Sequence, residues 1–272
     1  MRFGRANIAV VKIKNCPRCG SDSAVYTAVR AAMLLFLLGS AGCEGDILIP
    51  DPAVRFFAFG DSSTAGESGR DYVDFLPDLL GSPPEEFAKQ GKGGETAGEG
   101  LDRLSQLLSL SIYPNAHTLL YWEGGGDVID FIREVDPLLL LSPSDPGYPY
   151  KAQRDEALNR IQSRIEAAIA EAQTAGLTVY VATYFSLQEA VVPCDPLLLD
   201  VILPSQARNA NGYISLLNER IRQAARNTGA RVVDVASADD RLQAKSSNYL
   251  NCNHLSQSGN EIVAQIFAEA LR

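Results

Sequence analysis

Histidine is nearly absent from this chain: two, His117 and His254, among 272 residues. Any chemistry that needs an imidazole has only these two places to find one. Basic charge is short as well. Six of the 24 Lys/Arg but one of the 33 acids (Asp22) fall in residues 1–42, leaving 18 basic against 32 acidic side chains, a net −14, in the remainder. Such a surface repels phosphate backbones and argues against nucleic acid as a partner. No apolar stretch is long: Ala31–Leu38 is too short to span a bilayer. Cys16 and Cys19 form a Cys-x-x-Cys without the second pair a zinc site needs, so no metal is expected. The glycines of Gly91–Gly94 lack the order of a Walker loop, and no cofactor is expected. No internal repeat is visible, and the length suits one α/β domain with a sizeable core.

What is present begins with Arg30, the apolar Ala31–Leu38 and the small residues Gly39–Gly42 before Cys43. A basic residue, a short apolar run and small residues make a secretory signal. Ser40-Ala41-Gly42-Cys43 resembles a bacterial lipobox, with Ser40 where Leu is usual. Residues 1–43 are therefore expected to be an export segment and 44–272 the functional domain. Cys43 becomes a lipidated first residue in the cell envelope, or the protein is plainly secreted. The stretch before Val25 is long for a signal's basic region, which places initiation near Val25 or Val29. After processing, Cys194 and Cys252 remain. They suit one disulfide in an oxidising compartment, or are two separate buried thiols.

The rest of the chain is organised around Phe56–Gly66. The apolar Val54–Phe59, bounded by Pro52 and Gly60, reads as a buried strand. The chain then turns and presents Asp61 and Ser62. A serine on a tight turn past a strand has an exposed hydroxyl and a free backbone N–H, which suits a nucleophile that helps bind its own oxyanion. Thr64 stands where the second Gly of a Gly-x-Ser-x-Gly elbow would be. Gly60, Asp61, Ser62, Thr64 and Gly66 instead match the first block, Gly-Asp-Ser-x-Thr-x-Gly, of the GDSL or SGNH hydrolases, which this chain resembles.

Later blocks follow in order. A helix over Asp71–Leu80 precedes a strand at Phe87–Gln90. Gly91, Gly94 and Thr96 fit the second block, and the resemblance assigns the Gly94 N–H to the oxyanion hole. A helix Leu101–Leu110 and a strand His117–Trp122 come next. Gly124 and Asp127 fit the third block, Gly-x-Asn-Asp, but Gly126 stands where the family's Asn donates to the oxyanion. Losing one such donor costs about 10²–10³ in rate. Restoring it as Gly126→Asn is expected to raise kcat. The Pro- and Leu-rich 134–150 reads as a packed insertion. With the apolar 191–204 it either walls an acyl pocket or covers the core.

A long amphipathic helix over Lys151–Ala175, a strand Leu177–Phe185, a helix Ser205–Thr228 and a strand Arg231–Val235 lead to the last block. There His254 and Gly259 match Asp-x-x-His and its following glycine, with Asn251 in place of the Asp. Asn251 is expected to orient His254 through its side-chain carbonyl. His117, opening an apolar strand, reads as structural.

The alternation of strands and helices predicts a mainly parallel sheet covered on both faces. The resemblance implies a flavodoxin-like three-layer α/β/α fold with five strands. It further implies a Ser62–His254 centre with Asn251, oxyanion donors at Ser62 and Gly94, and a reduced third position at Gly126. The expected substrate is a small-molecule or carbohydrate-linked ester, with membrane contact only through a lipid on Cys43. Two other classes fit the sequence: an exported ligand-binding protein that has lost turnover, and a nucleotide-binding domain using Gly91–Gly94.

Overall fold

The computed structural model describes residues 49–67, 69–189, 192–194 and 201–272. The expected export segment, residues 1–43 with Cys43, lies outside them. The unit Asp51–Arg272 is built on a five-stranded, wholly parallel sheet. Its strands are β1 (Phe56–Gly60), β2 (Phe87–Gly91), β3 (Thr118–Trp122), β4 (Thr178–Ala182) and β5 (Arg231–Val233), in the spatial order β2-β1-β3-β4-β5. These are the five predicted strands: β1 and β2 each run one residue further, to Gly60 and Gly91, β1 starts two residues later, and β3, β4 and β5 are shorter than expected. β3 is buried along its whole length, as an unbroken apolar run between two helical layers requires.

The helices are α1 (Tyr72–Leu80), α2 (Ala97–Ser109), α3 (Gly125–Val135), α4 (Lys151–Thr174), α5 (Pro204–Thr228) and α6 (Gln257–Leu271). α1 packs on α6 on one face of the sheet; α4 packs on α2 and α5 on the other. The starts are set by local chemistry. Asp71 and Asp74 form a reciprocal capping box on α1, and Thr96 and Glu99 form one on α2. α2 consequently begins at Ala97, four residues before the apolar stripe that marked it in the sequence. Among the described residues no helix is long and apolar enough to cross a membrane.

Register decides where the site falls. Gly60 pairs with both Gly91 and Trp122, so β1, β2 and β3 end level with one another. The order changes direction at β1 and β3, the point where doubly wound sheets open a crevice beyond their carboxyl ends. Gly60 and Gly91 are small because the chain is crowded here. A Cβ on Gly60 would lie 2.3 Å from Trp122 O, and one on Gly91 would lie 1.9 Å from Ala65 N.

The 134–150 segment is a packed insertion, and none of it lines the cavity or the cleft beside Ser62. The Asp136 carboxylate accepts from Tyr213 at 2.7 Å and from Tyr148 at 3.3 Å, and the two tyrosine hydroxyls bond each other. Arg154 donates to Pro143 O, and Asn209 holds Leu139 O at 2.6 Å. These bonds fasten the insertion to α4 and α5, so covering the core is its role.

Cys194 and Cys252 are joined in a disulfide with Cα atoms 4.7 Å apart across 58 residues. It ties the segment after β4 to the loop carrying His254, beside a Gln188 N–H bond of 2.9 Å to Cys252 O. Closing a loop of that length limits the unfolded chain by about 4 kcal/mol in the entropic account. Reduction, or Cys252→Ser, should lower the melting temperature accordingly, and a melt unchanged by reductant would refute the contribution.

Candidate active site

Asp61 builds the turn that carries Ser62. One carboxylate oxygen accepts from Ser63 N at 2.9 Å, capping the short Ser62–Ala65 turn. The other accepts from the Tyr184 hydroxyl at 2.6 Å. Burial pushes the Asp61 carboxyl up, while Tyr184, Ser63 and the nearby His254 hold it down. Ser62 itself is half-buried at the mouth of the crevice.

Tyr184 was not legible as a site residue. In the sequence it ends an apolar strand, and nothing distinguishes its ring from core. In the structure its hydroxyl also accepts from Gly125 N at 3.0 Å, joining the Ser62 turn to the start of α3. Asn218 on α5 fixes the tyrosine's backbone, accepting from its N–H at 2.7 Å and donating to its carbonyl at 2.8 Å.

Arg103, on α2, performs the same service from the opposite side. Its Nε bonds Glu95 Oε1 at 2.8 Å, Nη1 bonds Gln90 O at 3.1 Å and Nη2 bonds Gly60 O at 3.4 Å. The guanidinium lies 3.9 Å above the Phe59 ring. Glu95 and Glu123 are both fully buried around it, Glu123 with Oε1 4.0 Å from Nη2. Burial first, and then the charges of Asp61 and Glu95, push the Glu123 carboxyl well up. Asp127 accepts from Ala97 N at 2.7 Å, linking α3 to α2, and burial pushes it up to about 6.

Ser62, Gly94 and Gly126 line one cavity of about 230 Å³. Gly94 adopts φ 71°, the left-handed region that glycine occupies without strain. Gly126 is the second residue of α3, so its N–H has no acceptor within its own helix. An N–H at a helix N-terminus is suited to negative charge. At the position where the third block of the family has an Asn, the cavity is therefore lined with backbone.

Ser62 also lines a narrow cleft with His254, Asn253 and Glu67. The histidine loop is tight: Tyr249 and Leu255 bridge, and Leu250 N bonds His254 O at 2.8 Å. His254 is buried. Asn251 does sit against its ring, but not as expected. Its Oδ1 accepts from the backbone N–H of Asn253 at 3.1 Å and of His254 at 2.8 Å. That leaves Nδ2, 3.0 Å from His254 Nδ1, to donate to the ring. The orienting group is the amide N–H and not the carbonyl, because two backbone donors claim the oxygen. Asn253, at an unspecified position of the Asp-x-x-His block, lines both the cavity and the cleft. His117 is exposed at the opposite end of β3, edge-on to Phe56, and takes no part.

The GDSL-like lipase/acylhydrolase family model matches residues 58–262. The chain belongs to that family. Solved structures share its fold at low identity. A member of the lipolytic protein G-D-S-L family from Veillonella parvula is 16% identical, covering 79% of this chain and 97% of its own, with a TM-score of 0.53. The acetyl xylan esterase AlAXEase is 18% identical, covering 80% and 100%, at 0.54. The psychrotrophic esterase EstA from Pseudoalteromonas sp. is 16% identical, covering 80% and 96%, at 0.52. No curated protein matches the chain.

The close packing at Gly126 reverses the expectation for Gly126→Asn. A Cβ there would lie 2.2 Å from Glu95 O, a backbone atom that cannot swing aside. Overpacking of this kind costs about 1–3 kcal/mol or more. Gly126→Asn should therefore melt earlier and hydrolyse esters no faster than wild type. A variant of unchanged stability with raised kcat would reinstate the missing-donor account.

Proposed function

We propose that this chain is an exported serine esterase that hydrolyses carboxylic esters through Ser62 and His254. The observation that carries the reading is the convergence of both residues on one cleft at the switch point of a GDSL-family fold. Ser62 Oγ attacks the ester carbonyl as His254 Nε2 takes its proton. The tetrahedral oxyanion takes hydrogen bonds from the N–H groups of Ser62, Gly94 and Gly126. The alkoxide leaves with the proton from His254. Water, deprotonated by the same histidine, then releases the acid from the acyl-serine.

This cycle needs neutral His254 to carry its proton on Nδ1. The Asn251 amide, donating to Nδ1, favours the opposite tautomer. To act as base the histidine needs the amide turned over, losing two backbone hydrogen bonds. At about 1 kcal/mol each, that is roughly 30-fold in rate. The chain is on this account a slow esterase. The same observation favours a second reading, a ligand-binding protein that keeps the fold without turnover.

Asn251→Asp separates the two. The carboxylate keeps one oxygen for both backbone N–H groups and offers the other to Nδ1–H. The variant should gain from about 30-fold up to the ~10⁴ that the converse Asp-to-Asn change costs a serine protease triad. The gain is read as kcat on short-chain p-nitrophenyl esters and should disappear in a Ser62→Ala background. If wild type and Asn251→Asp are both inert on every ester, the binding reading replaces the enzyme.

Export belongs to the proposal. The signal-like Arg30–Gly42 supports it, and the Cys194–Cys252 disulfide is of the kind that persists in oxidising compartments. Mass spectrometry of the mature protein should find Cys43 as its N-terminus, carrying diacylglycerol. A cytoplasmic protein that retains Val25 would exclude it.

A further inference from the structure

We infer that the substrate is a medium-chain acyl ester, its chain of about eight carbons lying in the cavity beside Ser62; this rests on the esterase reading above. The cavity has two ends of different character. At one end are Ser62, Gly94 and Gly126, where the carbonyl reacts. Beyond them the walls are apolar: Val128, Ile129 and Ile132 from α3, Phe185 and Leu187 from the segment after β4, and Ile214 from α5.

Which half of the ester enters is set by His254. The leaving oxygen has to lie within reach of the histidine that protonates it. His254 lines the narrow cleft and not the larger cavity, while Ser62 lines both. The alcohol therefore lies on the cleft side and the acyl chain in the cavity.

The length follows from two measures. An apolar cavity of ~150 Å³ takes the six carbons of benzene, so about 230 Å³ takes roughly nine. Along α3, Gly126 and Arg133 both line the cavity. Seven residues at 1.5 Å rise separate them by about 10 Å, the length of an extended medium acyl chain. At that far end Arg133 pairs with Asp130 at 3.2 Å, both half-exposed, so the apolar lining gives way to charge and water. An acetyl group would leave most of this lining empty; a long fatty acyl chain would have to thread past the ion pair.

The test is a series of p-nitrophenyl esters from acetate to dodecanoate, with the purified mature protein. kcat/KM should rise by roughly four-fold per methylene buried, peak near octanoate and fall by dodecanoate. Ile129→Trp, which fills the middle of the cavity, should move the peak to butanoate or shorter. Acetate hydrolysed as well as octanoate, or a peak that Ile129→Trp does not move, would overturn the inference. A binding arm keeps it separate from the esterase reading. Octanamide, which resists hydrolysis, should bind wild type at least tenfold more tightly than acetamide by calorimetric titration. Absence of turnover with that preference intact would defeat the esterase and keep the medium-chain ligand; absence of the preference would remove the ligand class itself.

Discussion

The guanidinium of Arg103 is the contact on which the site's geometry depends. It bonds carbonyls at the ends of two neighbouring strands, Gly60 and Gln90, and the Glu95 carboxylate in the loop between β2 and α2. The two loops that bear Ser62 and Gly94 are therefore referenced to one planar group. Arginine suits the task because its donors diverge in a fixed plane and its charge cannot be removed near neutral pH. The cost is a carboxylate held wholly out of water, tolerable only while the guanidinium faces it. Tyr184 does the corresponding work between the Ser62 turn and α3, so each loop of the site is braced from a separate helix or strand.

Much of this was legible in the sequence, for identifiable reasons. Apolar runs such as Phe56–Phe59 and Leu119–Trp122 can only be strands of a two-sided sheet, and the glycine blocks mark where those strands stop. The family's four blocks appear in order, so the sheet edge holding Ser62 and His254 could be named before any coordinates. What escaped was directional. Asn251 has an oxygen and a nitrogen, and which one faces His254 depends on two backbone N–H groups of a loop whose shape no local pattern specifies. Gly126 read as the loss of the third block's side-chain donor. Only the distance to Glu95 O reveals that the neighbouring backbone occupies the space an Asn would need. The Leu-rich insertion left two readings open, pocket wall or core cover, because hydrophobicity is visible in sequence, whereas the buried Asp136–Tyr148–Tyr213 bonds that fasten it to α5 are not.

These two departures from the family pattern act on different parts of one reaction. Gly126 lines the cavity, and its backbone N–H lies in the first turn of α3 without an acceptor in its own helix. At Asn251 a neutral amide stands beside the imidazole, and its Nδ2, 3.0 Å from His254 Nδ1, favours the tautomer with the proton on Nε2. On the esterase reading proposed above, the oxyanion donors are kept more fully than the means of generating a nucleophile.

Burial around the sheet edge also makes folding a proton-binding event. Asp71 and Asp127 are each pushed up to about 6 by burial, and Glu123 well above the 4.5 of a free glutamate. Between about pH 4 and 6 the folded chain keeps protons that the unfolded chain gives up. The stability these groups contribute is therefore present in acid and lost as pH rises through that window. Unfolding there discharges protons into the solvent, so the heat it absorbs includes the ionisation heat of whatever buffer receives them. The calorimetric enthalpy of this domain is consequently a property of the protein and its buffer together, and the two separate only when buffers of different ionisation heat are compared.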